Sequence, residues 1–352
     1  MMCAVNARRP NPPFRPSPSG APARQIELVR RPASQACEGD FRIADVTLPA
    51  PRAGEALVEN RFLSVDPYMR ARMDDRPSYY APWPLDAALD GDAVGIVVTS
   101  RHPVLAPGDW VASEHGWRDR FVAPAAHLRP LPAAPAGFDH GAYLGALGAT
   151  GLTAYLGVED VLRPAPGEYV LVTTAAGAVG SVAGQLCRLR GAHVIGSTST
   201  PEKVEHVLGR YHFDAAFDYR LRGTREALAE FAPDGIDGLF DNVGGEQLEA
   251  ALDAMRIGGR IAKCGAAAEY DAAPPPGPSN LHHFFGKRLT MTGFLVSDHR
   301  ARAPAFQARM REWLEEGAVV VDETREHGLE AAVPAFLGLF ASRNVGKTIV
   351  VL

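Results

Sequence analysis

The sequence predicts an α/β protein of two domains, in which a mostly-β domain precedes a domain built on a doubly wound parallel sheet. From residue 24 to about 148, short β-type runs such as EALVENRFLSV and AVGIVVTS are separated by Pro, Gly and Asp, and no long helical pattern interrupts them. From about residue 149, strand-like and helix-like segments alternate for about 120 residues, which is typical of βαβ units.

Composition narrows the class of protein. The chain has 352 residues, of which 46% are hydrophobic and 22% charged, with a net charge of -5, which is ordinary for a globular chain of two domains. The acidic balance offers no electrostatic attraction for nucleic acid, and every apolar run is far shorter than the roughly 20 residues of a membrane span. The four cysteines are widely separated and form no CxxC pair, which predicts a cytoplasmic protein without a disulfide framework.

The two ends of the sequence are predicted to behave differently. Residues 1–23 are rich in Pro and Arg, contain no acidic residue and lack the apolar core of a secretory signal, so we expect a disordered extension. Residues 297–352 contain helical patterns followed by the strand-like KTIVVL. We expect this segment to return to the first domain, residues 24–148, which leaves 149–296 as the parallel-sheet domain.

The turn in LVTTAAGAVGS, residues 171–181, is the first functional signal. A dinucleotide-binding turn follows the pattern GxGxxG, because glycines let the backbone approach a pyrophosphate at a helix N-terminus. Ala175 takes the first position here, and Gly177 and Gly180 take the other two. The spacing alone fits an ordinary tight turn equally well, but the surrounding βαβ pattern favours dinucleotide binding.

The end of the following strand discriminates between the two dinucleotides. NAD sites place Asp or Glu there to bind the ribose hydroxyls, whereas the stretch GSTST around Thr198 contains no acid. A carboxylate would repel a 2′-phosphate, so its absence favours NADP, with Lys203 as the candidate phosphate ligand. Taken alone, Lys203 is more typical of a solvated charge on a helix.

Several motifs, taken in their order along the chain, resemble one family. They are SVDPYMR, AAGAVGSVAGQL, FDNVGGEQLEAAL, GRIAKCGAAAEY, KRLTMTGF and NVGKTIV. They are similar to the medium-chain dehydrogenase/reductase superfamily, and within it to the zinc-independent, NADPH-dependent alkenal/one double-bond reductases, the branch of prostaglandin reductase (leukotriene B4 12-hydroxydehydrogenase) and curcumin reductase. The resemblance spans about residues 24–352, and it implies a GroES-like first domain, a Rossmann second domain and an active site in the cleft between them.

The resemblance also implies which residues bind NADPH. The pyrophosphate would lie on the glycine turn, the 2′-phosphate would meet Lys203 and Tyr219, and the remaining residues would surround the nicotinamide half. The implied cofactor-binding residues are Gly177, Ala178, Val179, Gly180, Lys203, Tyr219, Asn242, Cys264, Gly265, Tyr270, Phe294, Leu295, Val296 and Asn344.

The sequence departs from the family pattern at two places. A loop that usually reads CGAISxYN reads CGAAAEYDA here, so Tyr270 is retained and Asp271 replaces the Asn. LGALGATGLTAY also differs from the usual LGMPGLTAY. Both departures fall on the substrate side, and they leave the identity of the substrate open.

The ligands of the zinc-dependent branch are missing. LSVDPYM contains no Cys or His, and LDGDAVG stands where a GHE motif would be expected. His282 and His283 are adjacent, so their spacing does not place them on one helical face with a third ligand. We therefore predict no metal site and disfavour simple alcohol oxidation, for which zinc would be the Lewis acid.

The predicted reaction is reduction of the C=C bond of an α,β-unsaturated ketone or aldehyde, with hydride addition to the β-carbon. Charge then develops on the carbonyl oxygen, where a neutral tyrosine hydroxyl is a suitable donor. The candidate catalytic residues are Tyr270 and Tyr68, for which loop capping and aromatic packing are the alternatives. Asp66 and Arg70 are candidate substrate contacts, although they are more typical of a structural turn and a surface ion pair.

Two other functions remain open at this stage. A quinone reductase of the same superfamily would share the NADPH site, although SVDPYMR argues against it, and a non-catalytic NADPH sensor would share it too. The predicted partner is a small enone or enal, with no nucleic acid and no membrane. The family implies a homodimer, for which RLTMTGFLV is a candidate pairing strand.

Overall fold

The computed structural model describes residues 20–76, 78–270 and 277–352. The strands are β1 (Ala21–Leu28), β2 (Phe41–Leu48), β3 (Glu55–Ser64), β4 (Ala93–Ser100), β5 (Trp110–Ser113), β6 (Arg120–Pro124), β7 (Arg129–Pro130), β8 (Tyr169–Val172), β9 (His193–Thr198), β10 (Ala215–Asp218), β11 (Ile236–Asp241), β12 (Met255–Lys263), β13 (Thr290–Gly293), β14 (Glu323–His327) and β15 (Lys347–Val351). The α-helices are α1 (Ala149–Leu156), α2 (Gly180–Leu189), α3 (Pro201–Arg210), α4 (Thr224–Phe231), α5 (Gly245–Ala254), α6 (His283–Gly286), α7 (Ala303–Glu315) and α8 (Ala332–Phe340).

The second domain is a Rossmann fold, which confirms the predicted fold class. Its six strands are parallel and lie in the order β10-β9-β8-β11-β12-β13. Helices cover the sheet, so its central strands are buried and read as short apolar runs such as YVLV. The strand order reverses between β8 and β11, and the carboxyl ends of strands beside such a reversal form the crevice in which ligands bind.

The first domain is built on a mainly antiparallel sheet that includes the last two strands. Its order is β14-β15-β3-β4-β5-β7, with β6 also paired to β3, while β1 and β2 form a separate two-stranded sheet. Strand β15 runs antiparallel to β3 and places Val350 opposite Leu63. The chain thus crosses back to the first domain after completing the second.

The prediction of a disordered extension over residues 1–23 is wrong for residues 21–23. Strand β1 begins at Ala21, and the residues from Ala21 to Ala23 pair with β2. Ala21 and Ala23 are buried in the structure. The sequence suggested a loop here because Gly20 and Pro22 are residues typical of turns. Residues 1–19 lie outside the described residues.

One buried apolar cluster joins the two domains. It includes Phe62 and Val94 of the first domain, Val172 and Phe240 of the second, and Ile349 of the returning strand. Continuous packing of this kind fixes the relative positions of the two domains below the cleft that separates their outer parts. None of the helices in the described ranges combines the length and hydropathy needed to cross a bilayer.

Candidate active site

A cleft of about 590 Å³ lies between the two domains. Its walls are the carboxyl ends of β8, β9, β11 and β12 on one side, and on the other the residues that follow β3, Tyr79 and Tyr80, and part of the C-terminal segment. Every predicted site residue lines it: Tyr68, Gly177, Ala178, Val179, Gly180, Lys203, Tyr219, Asn242, Cys264, Gly265, Tyr270, Phe294, Leu295, Val296 and Asn344. The structure therefore brings these residues together, and their individual roles stay predictions.

The glycine turn between β8 and α2 is too tight for side chains at its critical positions. A Cβ on Gly180 would lie 2.3 Å from the carbonyl oxygen of Thr174, so only glycine fits without a backbone shift. Ala175 is accepted in the first position because Gly196 of the neighbouring strand leaves room for its methyl group. A Cβ on Gly196 would lie only 2.9 Å from that of Ala175.

The N-terminus of α2 is open toward the cleft. Its N-cap residue, Val179, has no side chain that accepts a hydrogen bond, so the first backbone N–H groups of the helix depend on another acceptor. These N–H groups, together with the positive end of the helix dipole, suit a pyrophosphate. The backbone thus fits the phosphates of a dinucleotide.

Two cations meet at the end of the cleft where a 2′-phosphate would lie. Lys203 donates from Nζ to the backbone oxygen of Ser342 at 2.8 Å, and Arg220 donates to the Ser342 hydroxyl at 3.3 Å. The Arg220 guanidinium also lies over the Tyr219 ring, 5.8 Å from its centroid. Burial, followed by the positive charge of the nearby Arg220, lowers the pKa of Lys203. Both causes disfavour the charged form of the lysine, and a bound anion would offset them. The sequence-based prediction did not include Arg220, although this residue directly follows Tyr219 in the sequence.

The loop after β11 is fixed by a buried carboxylate. Asp241 accepts from Lys263 Nζ at 2.8 Å and from the backbone N–H groups of Val243 and Gly244 at 3.0 and 2.9 Å. Asn242 donates from Nδ2 to the backbone oxygen of Thr173 at 2.7 Å. These bonds hold the Asn242 side chain at the cleft wall in a defined orientation.

Cys264 follows β12 at the same wall, and its thiol is unreactive. Burial, followed by Asp241, raises the pKa of Cys264 to about 12, so the nucleophilic thiolate is not formed near neutral pH. A Cβ on the next residue, Gly265, would lie 2.9 Å from the backbone oxygen of Asn242. Cys264 and Gly265 therefore form a closely packed part of the cleft wall, and Cys264 does not serve as a nucleophile.

Tyrosines dominate the opposite end of the cleft. The rings of Tyr68 and Tyr80 stack with their centroids 4.9 Å apart, and those of Tyr79 and Tyr80 are 5.2 Å apart. Burial, followed by the carboxylates of Asp66 and Asp92, raises the pKa of Tyr68 well above its ordinary value. Its hydroxyl is therefore a neutral donor. Tyr79 and Tyr80 were missed, because YY within a loop carries no spacing signal.

Asp66 and Arg70 are both buried, so reading Arg70 as part of a surface ion pair was wrong. Arg70 pairs with Asp74 at 2.9 Å with only 4% of its surface exposed. Asp66 does begin the short 3-10 helix that carries Tyr68, but it also binds the returning strand. Lys347 donates from Nζ to Asp66 Oδ1 at 2.9 Å and to the backbone oxygen of Val65 at 3.0 Å.

The segment before β15 lies directly on the glycine turn. The backbone N–H of Gly346 donates to the oxygen of Ala176 at 2.8 Å, and Asn344 donates from Nδ2 to the oxygen of Gly346 at 3.1 Å. Gly346 has a φ of 65°, and a Cβ there would lie 1.7 Å from the backbone oxygen of Asp322. This segment thus closes the cofactor half of the cleft.

No metal centre is built from the residues that the structure describes. Within 20–76, 78–270 and 277–352, no group of three or more His, Cys, Asp or Glu side chains could hold a metal ion. His283 contacts Asp253 with Nε2 2.9 Å from the carboxylate, which is a pair and not a ligand set. Zinc independence stays a prediction, and Asp271 of the altered loop lies outside the described residues.

Comparison with known proteins gives the family. Residues 24–131 match the N-terminal domain of oxidoreductase, and residues 178–316 match the zinc-binding dehydrogenase model. The NADPH-dependent curcumin reductase of Escherichia coli (strain K12) is 35% identical, covering 93% of this chain and 96% of its own. The 2-alkenal reductase (NADP(+)-dependent) of Nicotiana tabacum is 37% identical, covering 90% of this chain and 93% of its own. The chain belongs to the NADP-dependent double-bond reductases of the medium-chain dehydrogenase/reductase superfamily.

A solved structure supports the assignment of this double-bond reductase to the same family. CurA from Vibrio vulnificus in complex with NADPH is 35% identical, with a TM-score of 0.88, and the match covers 93% of this chain and 98% of that one. The glycine turn, the open helix N-terminus and the paired cations of the reductase fit NADPH on the geometry described above. The matched model for residues 178–316 carries a zinc-binding name, whereas the first-domain motif LSVDPYM of the reductase contains no Cys or His.

Proposed function

We propose that the protein reduces the C=C bond of α,β-unsaturated ketones and aldehydes. The observation that carries the proposal is that an NADP-type phosphate cradle and a group of tyrosines line the same cleft. Bound NADPH supplies a hydride, which the β-carbon of the substrate accepts. Family membership supports the reaction class.

Each end of the cleft has a separate task in this proposal. The backbone of the glycine turn binds the pyrophosphate, while Lys203 and Tyr219, joined by Arg220, bind the 2′-phosphate. Asn242 and the residues from Phe294 to Val296 hold the nicotinamide half against the wall. These contacts orient the cofactor and leave the tyrosine end for the substrate.

The tyrosines supply the remaining chemistry. Addition at the β-carbon moves charge onto the carbonyl oxygen, and a neutral hydroxyl stabilises it more in the transition state than in the ground state. Tyr270 and Tyr68 line the substrate end and are the proposed donors. One holds the oxygen, and the other delivers the proton that the α-carbon needs.

The test is the loss of NADPH absorbance with a medium-chain 2-alkenal, a 2-alkenone and a benzoquinone, each repeated with NADH and with a chelator. Turnover of the enal or enone with NADPH, unaffected by the chelator, is the expected result. Turnover of the quinone alone would identify a quinone reductase instead. NADPH binding without any turnover would favour a sensor.

Two variants test the tyrosines within that assay. Tyr270→Phe and Tyr68→Phe are each expected to lower kcat by roughly 10- to 100-fold, about 1.4–2.7 kcal/mol of transition-state stabilisation. NADPH affinity should stay unchanged in Tyr68→Phe, whereas Tyr270 is also a predicted cofactor contact. Tyr155→Phe is the matched control, because Tyr155 packs against Phe306 at a centroid distance of 5.5 Å. An equal effect of all three changes would assign the loss to packing.

We also propose that the protein forms a homodimer through β13. This strand lies at the edge of the parallel sheet, and nearby Phe285 and Ile257 are 81% and 67% exposed. Sedimentation should show a dimer that Phe285→Asp weakens. The control is Val104→Asp, since Val104 is 73% exposed on the first domain. A monomeric wild-type protein would refute the proposal.

A further inference from the structure

Two consecutive residues at the start of β15 contact both ends of the cleft. The backbone N–H of Gly346 donates to the oxygen of Ala176 in the glycine turn at 2.8 Å, and Gly346 forms a parallel bridge with Gly177. The next residue, Lys347, is buried, with 4% of its surface exposed, and its side chain reaches the first domain. One short piece of chain therefore touches the cofactor half of the cleft with its backbone and the substrate end with a side chain.

The ammonium group of Lys347 is fixed by three acceptors. Its Nζ donates to the backbone oxygen of Val65 at 3.0 Å, to Asp66 Oδ1 at 2.9 Å and to the backbone oxygen of Thr348 at 3.1 Å. An ammonium has three N–H donors, so each of them has a partner within the protein. Although Lys347 lines the cleft, it therefore keeps no donor for a substrate.

Two of these acceptors lie at the start of the element that carries Tyr68. Asp66 is the N-cap of the 3-10 helix Pro67–Met73, and its backbone oxygen accepts from the Met69 N–H at 3.1 Å. Tyr68 is the second residue of this helix. A shift of the first turn of the helix would therefore move the Tyr68 phenol directly.

We propose that Lys347 is a positioning residue, which holds the Tyr68 hydroxyl at the distance from the bound cofactor that the reaction needs. The proposal rests on the proposed enone reduction, in which the hydride and the hydroxyl must reach the same substrate. Gly346 fixes the segment against the turn that binds the cofactor, and Lys347 fixes the helix of Tyr68 against that segment. A misplacement of about 1 Å can lower a rate on the order of 100-fold. Lys347 thus acts through Tyr68 and does not touch the substrate.

A loss of position has to be separated from a loss of stability. Lys347→Met leaves Asp66 buried without its partner, so this variant is expected to be less stable. Adding Asp66→Asn removes the other member of the pair, and replacing both members of a buried ion pair by neutral groups often costs no stability. The double variant Asp66→Asn/Lys347→Met should therefore recover the free energy of unfolding, while the three hydrogen bonds of the ammonium stay lost.

The kinetics of this double variant with a 2-alkenone test the proposal. Its kcat should be roughly 10-fold below that of the wild type, with the KM for NADPH unchanged, because Gly346 still contacts the glycine turn. In the Tyr68→Phe background the same two changes should have no further effect on kcat, since the hydroxyl that they position is already gone. Losses that multiply in the triple variant would overturn the proposal, and so would a double variant that recovers wild-type kcat along with its stability.

The matched control is Glu59→Gln/Arg120→Met. This pair joins β3 to its other neighbour, β6, with its charged atoms 2.8 Å apart and both side chains partly buried. Neither residue lines the cleft, so kcat should stay at the wild-type value. An equal loss of kcat in this variant would show that any loosened pair on β3 has the same effect, and would overturn the specific role of Lys347.

A second measurement is independent of turnover. In protein labelled with 3-fluorotyrosine, the ¹⁹F resonance that is missing in Tyr68→Phe belongs to Tyr68. This line should broaden in Asp66→Asn/Lys347→Met, because the ring samples several positions, and stay narrow in the control variant. A line as narrow as in the wild type would overturn the proposal. If the wild-type protein reduces no enone, the proposed function fails, and the line width still decides whether Lys347 holds Tyr68 in place.

Discussion

The phosphate half and the substrate half of the cleft are built on different principles. The phosphate half depends on backbone shape, with one turn after β8 that only glycine can form and a helix end that presents its N–H groups. The substrate half depends on buried charge, and its central pair, Asp66 and Lys347, is separated by 281 residues in sequence. Steric damage to the phosphate half should therefore be local, whereas electrostatic damage to the substrate half should affect segments that are distant in the sequence.

Lys347→Met is expected to give the largest effect. It leaves the Asp66 carboxylate buried without its cation, which costs about 3–5 kcal/mol of unfolding free energy. Urea unfolding near neutral pH measures the loss. The control is Arg300→Gln, which breaks an ion pair whose side chains are 66% and 58% exposed and should cost less than about 1 kcal/mol. If both variants lost a similarly small free energy of unfolding, the buried pair would be no more important than the exposed one, and the proposed difference between the two halves of the cleft would be wrong.

Gly180→Ala tests the steric principle in the phosphate half. The new methyl group would meet the Thr174 carbonyl oxygen at 2.3 Å, so we expect a loss of about 3 kcal/mol in stability, together with weaker NADPH binding. Gly209→Ala is the matched control in α3, because a Cβ there has no neighbour within 4 Å. That change should leave NADPH binding intact and stabilise the protein by about 0.5–1 kcal/mol. Thermal unfolding with and without NADPH separates the two effects.

Lys203→Ala tests cofactor selection without disturbing the fold. Loss of one charged hydrogen bond to the 2′-phosphate should raise the KM for NADPH roughly 30-fold, about 2 kcal/mol, and leave the KM for NADH unchanged. Arg309→Ala removes a charge on α7 and serves as the control. Equal increases for both cofactors would show that Lys203 acts through Ser342 and the C-terminal segment instead.

The pH dependence of stability gives the smallest expected effect. The pKa of Asp92 is raised from 3.8 to about 6, so the native state binds this proton more tightly than the unfolded state. Rising pH between these two values therefore costs native stability. Asp92→Asn should remove that slope and gain about 1 kcal/mol relative to the wild type above pH 6. Urea unfolding at several pH values checks it, with the exposed Asp75→Asn as the control.

The same division explains what the sequence could predict. The glycine turn could be predicted because its positions, Ala175, Gly177 and Gly180, are close in sequence and follow a rule about local backbone shape. The alternation of strands and helices could be predicted for the same reason. The pairing of Lys347 with Asp66 could not, because it exists only when β15 lies beside β3. Asp92 lies in LDGDAVG. Its environment was not predictable because it depends on charged residues such as Lys347 and Arg300, which are distant in the sequence.

The returning strand also has a consequence for the synthesis of the protein. The edge of β3 from Phe62 to Ser64 receives β15, and Lys347 is made 281 residues after Asp66. At translation rates of about 5–20 residues per second, this interval lasts roughly 15–60 s. During that time the nascent first domain presents an unpaired strand edge, which is a template for aggregation. Slow, chaperone-dependent maturation is therefore expected of a domain whose sheet is completed last.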